Sequence, residues 1–335
     1  MAVILVTGGA GYIGSHTCKS LAAMGHEPVV YDNLSRGHAD AVKWGPLIEG
    51  DIRHYDSIYA ALTKYRPEAV LHFAAYAYVG ESVANPGKYY RNNVSGAITI
   101  LNAMQAAGVG KFVFSSTCST YGIPLANPIQ DDHPQDPINP YGKSKLMVEQ
   151  ILRDFSSAFG LRFCALRYFN AAGADPGAEI GEHHDPEPHL IPNVLLTALG
   201  RQAKVTVHGD DYDTPDGTCI RDYIHVMDLA DAHVLALDAL ENRDGFQFYN
   251  LGNEVGYSVM EIVTKAREIC DREIPVEFGP RRAGDPPILV ANSKHARQVL
   301  GWTPKLASLE DIIGTAWRWF SQVIPLDGAS TIRTG

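Results

Sequence analysis

The segment VILVTGGAGYIG, residues 3 to 14, constrains the fold more than any other stretch of this chain. A short apolar run rich in Val and Ile suits a buried strand. Glycines at 8, 11 and 14 follow it, and SHTCKSLAAMG continues with helical texture. In a strand, turn and helix of this kind, the glycines let backbone N–H groups approach a pyrophosphate at the helix N-terminus, where the macrodipole favours negative charge. Eighteen residues beyond Gly14, Asp32 closes a second apolar run, EPVVYD (27 to 32). A carboxylate there accepts hydrogen bonds from a ribose and repels a 2′-phosphate, which points to NAD rather than NADP. Asp51, in EGDI after a third apolar stretch, reads either as an adenine contact or as a turn former.

Further apolar runs, AVLHFAA (69 to 75), KFVFSST (111 to 117) and LRFCALRYFN (161 to 170), alternate with helical patterns. Such runs predict parallel strands covered on both faces, hence an α/β, Rossmann-type doubly wound parallel sheet. After residue 171 the texture shifts to Gly, Pro, His and Asp, in AAGADPGAEIGEHHDPEPH and HGDDYDTPDGTC. We therefore expect an NAD-binding domain over 1–170, and a smaller α/β substrate-binding domain over 171–221 and 253–335. HVMDLADAHVLALDAL (225 to 240) and FQFYNLGN (246 to 253) again look like βα elements, so about 222–252 is expected to return to the first domain. No internal repeat is visible, and the last ten or so residues read as a frayed tail.

With 335 residues the chain is long enough for a sizeable core, and its formal charge of −10 without any Lys/Arg block argues against nucleic acid or an anionic membrane as partner. The expected partner is a small molecule. Five widely spaced cysteines without a C-x-x-C pair suit reduced thiols, MAVILVTGG lacks the basic flank of a signal peptide, and no run approaches membrane-span length. A cytoplasmic protein is expected.

NPYGKSKLMVEQI, residues 139 to 151, begins an amphipathic helix with Pro140 in its first turn and Val148, Ile151, Leu152, Phe155 and Phe159 as its apolar stripe. Walking that stripe backwards reaches Lys145 and Tyr141, an ammonium and a phenol on the face that should be buried. Residues four apart share a helical face, so the ammonium is expected beside both the phenol and a bound ribose. Such a cation, with an oxidised nicotinamide, would lower a phenol pKa from about 10 towards neutrality and make Tyr141 a usable general base. Thr117, ending KFVFSST, would present its hydroxyl at the carboxyl end of the sheet.

On TGGAGYIG, FSST and YGKSK the chain resembles the extended short-chain dehydrogenase/reductase family. Over nearly its whole length, through HFAA, VGES, NNVSG, LRYFNAAGA, RDYIHVMDLADAH, YNLG and PRRAGD, it is similar to the nucleotide-sugar 4-epimerases of the UDP-glucose (UDP-galactose) type within that family. The resemblance implies catalysis by Tyr141, Lys145 and Thr117 with tightly bound NAD. It implies a cofactor site of Gly8, Gly11, Tyr12, Ile13, Gly14, Asp32 and Asn33, continued by Asp51, Ile52, Phe73, Ala74, Asn92, Tyr141, Lys145 and Tyr168. It further implies a UDP-sugar site of Thr117, Tyr141, Asn170, His189, Leu190 and His208, completed by Arg221, Tyr223, Arg282, Asp285 and Leu289, and a homodimer joined through cofactor-domain helices. Arg221 and Arg282 suit a diphosphate independently, since guanidinium forks neutralise and orient it.

Several positions depart from the family's commoner pattern. Ala77 stands where many relatives have Lys, and Thr117 where many have Ser. Leu289 stands where some have a bulky Tyr beside the sugar, and His208 where an aromatic commonly stacks on uracil. STCSTYG, DYDTPDGTC and PRRAGD also resemble the UDP-arabinose (UDP-xylose) 4-epimerases, which leaves the sugar open. A 4,6-dehydratase would carry Asp-Glu directly after Thr117, where this chain has Cys118 and Ser119; a decarboxylase is disfavoured by the same residues. A catalytically silent NAD-binding sensor could lose Tyr or Lys, and both remain. Glu182, His183, His184, Asp185, Glu187 and His189 crowd one Pro-rich stretch without metal-ligand spacing, so a solvated or substrate-covering loop and no metal is expected. His72 reads as a satisfied core histidine, and SLEDIIGTAWRWFSQV (308 to 323) as a packing helix.

Overall fold

A computed structural model describes residues 1–241, 245–282 and 284–323. The alternating apolar runs form six parallel strands, β1 (Val3–Thr7), β2 (Glu27–Asp32), β3 (Leu47–Glu49), β4 (Ala69–His72), β5 (Lys111–Ser115) and β6 (Arg162–Tyr168). Later in the chain come β7 (Asn170–Ala172), β8 (Val205–His208), β9 (Ile220–His225) and β10 (Phe246–Leu251). The last of these joins the first six in a seven-stranded parallel sheet of order β10-β6-β5-β4-β1-β2-β3. The order reverses direction between β1 and β4, so a crevice opens at their carboxyl ends, where open α/β sheets hold ligands.

Two apolar layers sandwich the sheet. On one face α1 (Tyr12–Ala23) contributes Cys18 and Leu21 to a core that also takes Leu229, Val234 and Leu237 of a later helix. On the other face lie α2 (Tyr55–Tyr65), the short helices α3 (Val79–Ala84) and α4 (Pro86–Tyr89), α5 (Gly96–Ala107) and α6 (Pro140–Phe159). Ile58, Leu62, Ile100, Met104, Val148 and Leu152 pack there against β1, β4 and β5. Of the predicted α6 stripe, Val148 and Leu152 are buried and Ile151 and Phe155 half-buried, whereas Phe159 is 55% exposed because the helix outruns the sheet at its last turn.

The second region holds α7 (Leu190–Ala198), α8 (Val226–Ala239), β11 (Gly256–Ser258), α9 (Val259–Cys270), β12 (Val276–Gly279), β13 (Ile288–Leu289), α10 (Lys294–Leu300) and α11 (Leu309–Val323). β7, β9, β11 and β13 form a four-stranded sheet and β8 pairs with β12. Within the 222–252 stretch the chain divides: α8 packs on α1 and β10 completes the large sheet, while β9 stays in the small one. The C-terminal α11 packs Ile312, Ile313, Ala316 and Phe320 against Ile191, Leu195, Ile262 and Val263, so it is a core helix. The expected frayed tail lies outside the described residues. Among the described residues no helix is long and apolar enough to cross a membrane.

Candidate active site

Helix α6 starts where its sequence says it should. Pro140 occupies the first turn and Asn139 caps it, its Oδ1 accepting the Gly142 N–H at 2.9 Å. Gly142 is needed for close approach, since a Cβ there would lie 2.4 Å from the Ser119 carbonyl oxygen. That contact docks the helix start on the turn after β5. Thr117 and Tyr141, 5% and 7% exposed, meet there, close enough for the Thr117 hydroxyl to act on the phenol. Thr117 Oγ1 also accepts the Ser119 N–H at 3.1 Å, and Tyr168 reaches Ser115, hydroxyl to hydroxyl, at 2.7 Å.

Lys145 departs from expectation. Its Nζ donates to the Ser115 carbonyl at 2.7 Å and lies 4.8 Å from the centre of the Phe114 ring. Burial lowers its pKa to about 7, offset in part by Glu149. The Tyr141 phenol is not acidified by the protein groups: burial pushes its pKa well above the usual value, and the neighbouring Tyr168 adds to that, against an opposing effect of the Thr117 hydroxyl. The expected lowering by Lys145 is absent, because an ammonium aimed at the sheet end and solvating a carbonyl acts weakly on the phenol, whereas desolvation of a buried phenolate is large.

The glycine turn fits a pyrophosphate. Gly8 has φ +77° and a Cβ there would lie 2.5 Å from Ala74 N; a Cβ at Gly14 would lie 2.2 Å from Gly8 O. Gly11 caps α1 without any side-chain hydrogen bond, and the first turn has no acidic residue. The N–H groups around Tyr12 and Ile13 therefore face a place suited to an anion. Asp32, at the end of β2 and 8% exposed, accepts Ala10 N–H at 3.0 Å and Leu34 N–H at 2.9 Å. Burial raises its pKa, so a hydroxyl donor such as a ribose would relieve its desolvation. These residues fit NAD.

The remaining predicted cofactor residues stand in varied surroundings. Asn33 Nδ2 donates to Asp51 Oδ2 at 3.2 Å; the Arg53 guanidinium beside Asp51 holds that carboxyl well below the usual range. Ile52 packs into the core with its Cδ1 under Gly96, so only its backbone is left for a ligand. Phe73 lies 4.7 Å from the His233 ring, centre to centre, and Ala74 N donates to Thr7 O at 3.0 Å. Asn92 is 7% exposed in a π-helical segment, Tyr90–Ser95, a form that often marks functional sites. Ala77 is exposed. His72 is a buried core histidine, 2.7 Å from the Thr7 hydroxyl, with its pKa pushed down to about 3 by burial.

On the substrate side, Arg221 pairs with Asp285 at 2.6 Å, and both act with Arg282 on the Cys219 thiol. The two arginines differ: Arg221 is buried and paired with Asp285, while Arg282 is exposed. Asn170 lies opposite Tyr223, which packs in the core of the second region. Leu289 lies opposite Arg221 across β13 and β9, and packs near Cys118, the residue after Thr117. His208 ends β8 opposite Gly279.

The stretch after β7 packs on α1 and on the segment after β2. Tyr12 donates to Gly173 O at 2.6 Å, Arg36 to Asp185 O at 2.6 Å, and His38 lies 3.0 Å from His183 O. Leu190 opens α7 directly after His189. The spacing of this stretch gave no sign that Glu182, His184, Glu187 and His189 converge, their ligand-type atoms all within 4.8 Å of one another. They are ion-paired: His189 is 2.7 Å from Glu182 and 2.9 Å from Glu187.

Three polar residues that no sequence motif marks also build this region. Asn93 Nδ2 donates to Ser144 Oγ at 3.0 Å and to Tyr76 O at 3.0 Å, tying the π-helical segment to α6. Glu149 and Arg167 form a buried ion pair at 2.7 Å. The signal for Glu149 was present, since the four-residue walk from Tyr141 through Lys145 reaches it next.

A nucleotide-binding crevice with a Thr–Tyr–Lys set at the carboxyl end of a doubly wound sheet defines an oxidoreductase-like site. Residues 4–252 match the model of the NAD dependent epimerase/dehydratase family, and the chain belongs to that family. A relative from Rhizobium meliloti (strain 1021) called UDP-glucose 4-epimerase is 53% identical over 319 residues, 95% of this chain and 97% of the relative. The crystal structure of UDP-glucose 4-epimerase from Brucella ovis in complex with NAD superimposes with a TM-score of 0.93 at 52% identity, covering 96% of this chain and 98% of that one. The Stenotrophomonas maltophila UDP-glucose-4-epimerase, solved with NAD and formylated UDP-arabinopyranose, gives a TM-score of 0.93 at 39% identity, over 96% of this chain and 99% of that one.

Proposed function

We propose that this chain is an NAD-dependent isomerase that interconverts UDP-glucose and UDP-galactose by inverting C4. The observation that carries the reading is the meeting of Thr117 and Tyr141, buried together at the sheet end beside a glycine turn that fits a dinucleotide. When bound, NAD supplies a reversible hydride acceptor for C4 and a positively charged ring, so that the sugar passes through a 4-keto state and back. Tyr141 Oη takes the C4 hydroxyl proton and returns it. Thr117 Oγ1 orients the same oxygen. Lys145 holds the ribose edge of the cofactor site, and Tyr168, fixed by Ser115, stands beside the phenol. Arg221 and Arg282 orient the diphosphate, Asp285 holds Arg221 in place, and Asn170, His189, Leu190, His208 and Tyr223 surround the nucleotide. Gly8, Gly11, Tyr12, Ile13, Gly14, Asp32, Asn33, Asp51, Ile52, Phe73, Ala74 and Asn92 hold the NAD.

Elimination of water across C5 and C6 is disfavoured. Cys118 occupies the acid position of a dehydratase, and burial pushes its thiol up to about 12. Leu289 favours a second reading, in which the sugar pocket also accepts the N-acetylated pair, because an aliphatic side chain stands where a bulkier ring would narrow it. The pentose pair is a further candidate, supported by the ligand of the Stenotrophomonas relative. We assign residues 1–170 with α8 and β10 to the NAD-binding unit and the rest to the nucleotide-sugar unit. The free cysteines suit the cytoplasm. Ile98 on α5 and Met147 on α6, 36% and 40% exposed, suit a homodimer seam, to be checked by analytical ultracentrifugation.

The test is to mix the purified protein, without added NAD, separately with UDP-glucose, UDP-N-acetylglucosamine and UDP-xylose and follow products by NMR. Appearance of UDP-galactose supports the reading. Accumulation of a 4-keto-6-deoxy sugar, or no turnover of any of the three by NAD-loaded protein, refutes it.

A further inference from the structure

Glu149 is a carboxylate in a place where a carboxylate is costly. It is 1% exposed, inside helix α6, and faces the sheet rather than solvent. Four donors saturate its oxygens. Ser116 Oγ and Arg167 Nε donate to Oε1 at 2.6 and 3.0 Å; Arg167 Nη2 and Gln135 Nε2 donate to Oε2 at 2.7 and 3.1 Å. Arg167, 3% exposed, is itself fixed by the Tyr121 hydroxyl and the Asp131 carbonyl. A buried ion pair seldom repays its own desolvation, so stability alone is a weak reason for one here.

The partners are informative. Ser116 immediately precedes Thr117 in the chain, Arg167 immediately precedes Tyr168, and Glu149 lies one helical turn beyond Lys145. One carboxylate thus grips the neighbours of two site residues and sits beside a third. We propose that Glu149 is a positioning residue for the reaction: it locks α6 to the ends of β5 and β6, and its buried negative charge sustains the Lys145 ammonium.

The surroundings of Lys145 leave that charge to Glu149. Ser115 offers a carbonyl dipole and Phe114 a ring face. His72 from β4 and His233 from α8 also face the ammonium, but burial pushes their pKa values down to about 3 and about 4, so both are neutral in the working range. Burial raises the Tyr168 phenol, and the protein's own groups raise Tyr141 as well, so before NAD binds neither adds a negative charge beside Lys145. Among the described residues Glu149 is the one carboxylate whose charge raises the Lys145 pKa. At an effective dielectric near 20 and a separation of ~6 Å, a unit charge moves a neighbour by roughly two pK units. Glu149 is also drawn towards Arg167, so a net effect of about one unit is expected.

This inference rests on the proposed 4-epimerase reading, and wild-type turnover is the control that separates the two: if the parent protein is inactive, that reading fails rather than this one. The experiment compares wild type, Glu149→Gln and Glu149→Gln/Arg167→Gln as NAD-loaded protein, measuring kcat from pH 6 to 10, melting temperature, and NAD retained after gel filtration. Removing the carboxylate lowers the Lys145 pKa, so the ammonium is lost at lower pH. The alkaline limb should move down by about one unit, roughly tenfold in kcat on that limb, and NAD retention should fall in parallel above pH 8. The double variant removes both buried charges together; it should melt higher than Glu149→Gln yet keep the displaced limb. An unchanged limb in Glu149→Gln overturns the proposal. So does a double variant that regains the wild-type pH profile, because the pair would then be structural only. If Glu149→Gln does not fold, the double variant alone decides by the same limb.

Discussion

Replacing Gly14 and Gly11 by alanine separates packing from cofactor binding within one turn. A Cβ at Gly14 would lie 2.2 Å from Gly8 O and 2.9 Å from both Gly8 C and Gly9 Cα. Comfortable non-bonded contacts fall near ~3.5 Å, so the deficit is on the order of 1 Å. The atoms met are backbone, and no rotamer change relieves them. Helix α1 must therefore move away from β1, carrying Cys18 and Leu21 out of their fit in the core. Overpacking of this kind costs ~1–3 kcal/mol, and at roughly 2–4 °C per kcal/mol for a chain of this size the melting temperature should drop by several degrees. Because a misplacement of about 1 Å can cost on the order of a hundredfold in a positioned interaction, NAD affinity should fall as well. Gly11 behaves differently. Its Cβ would meet only Gly8 O, at 3.3 Å, and its φ of −84° suits alanine. Gly11→Ala should melt within a degree or two of wild type and still lose NAD, because the added methyl occupies the approach to the α1 N-terminus. Differential scanning calorimetry and NAD content by chromatography read the two effects. A Gly14→Ala protein with unchanged melting temperature would refute the steric reasoning, and a Gly11→Ala protein that retains NAD would show that the pyrophosphate lies elsewhere.

Three further outcomes are expected. Tyr141→Phe should lower kcat by roughly 10²–10⁴ while NAD content stays at the wild-type level; retained turnover would remove the phenol from the mechanism. Leu289→Tyr should depress turnover of UDP-N-acetylglucosamine more than that of UDP-glucose, measured as the ratio of kcat/KM values, if this side chain bounds the sugar pocket. In the cluster behind Tyr12, burial pushes down the pKa values of His184 and His189, but the Glu182 and Glu187 carboxylates outweigh it and raise them to about 9 and about 10. These folded values lie above the unfolded ~6.5, so their stabilisation is complete below that pH and is lost as pH rises through 9 and 10. The melting temperature should fall over that window, and His189→Gln should flatten the fall; an unchanged slope would show that these ion pairs contribute nothing to folding.

Much of this protein was legible in one dimension. The strand, glycine turn and helix at residues 3 to 23, the carboxylate closing β2, and the Tyr141/Lys145 spacing each follow from rules that act over fewer than about twenty residues: strand burial, left-handed φ, and the 3.6-residue helical repeat. Local rules also read His72 and α11 correctly, because a histidine within an apolar strand and an aromatic amphipathic helix have few alternatives.

Tertiary structure decided what depends on which distant groups meet. The Tyr141 phenol is raised rather than lowered, because desolvation is set by everything packed around a group and not by the residue four positions away. Arg221 arrives already paired with Asp285, 64 positions later in the chain, and the Glu182, His184, Glu187 and His189 cluster closes across a loop with no regular spacing. Glu149 was on the predicted face, yet its meaning waited for Arg167 on a neighbouring strand. Periodicity fixes the face a side chain takes, but the charge it feels there is a sum over the whole fold.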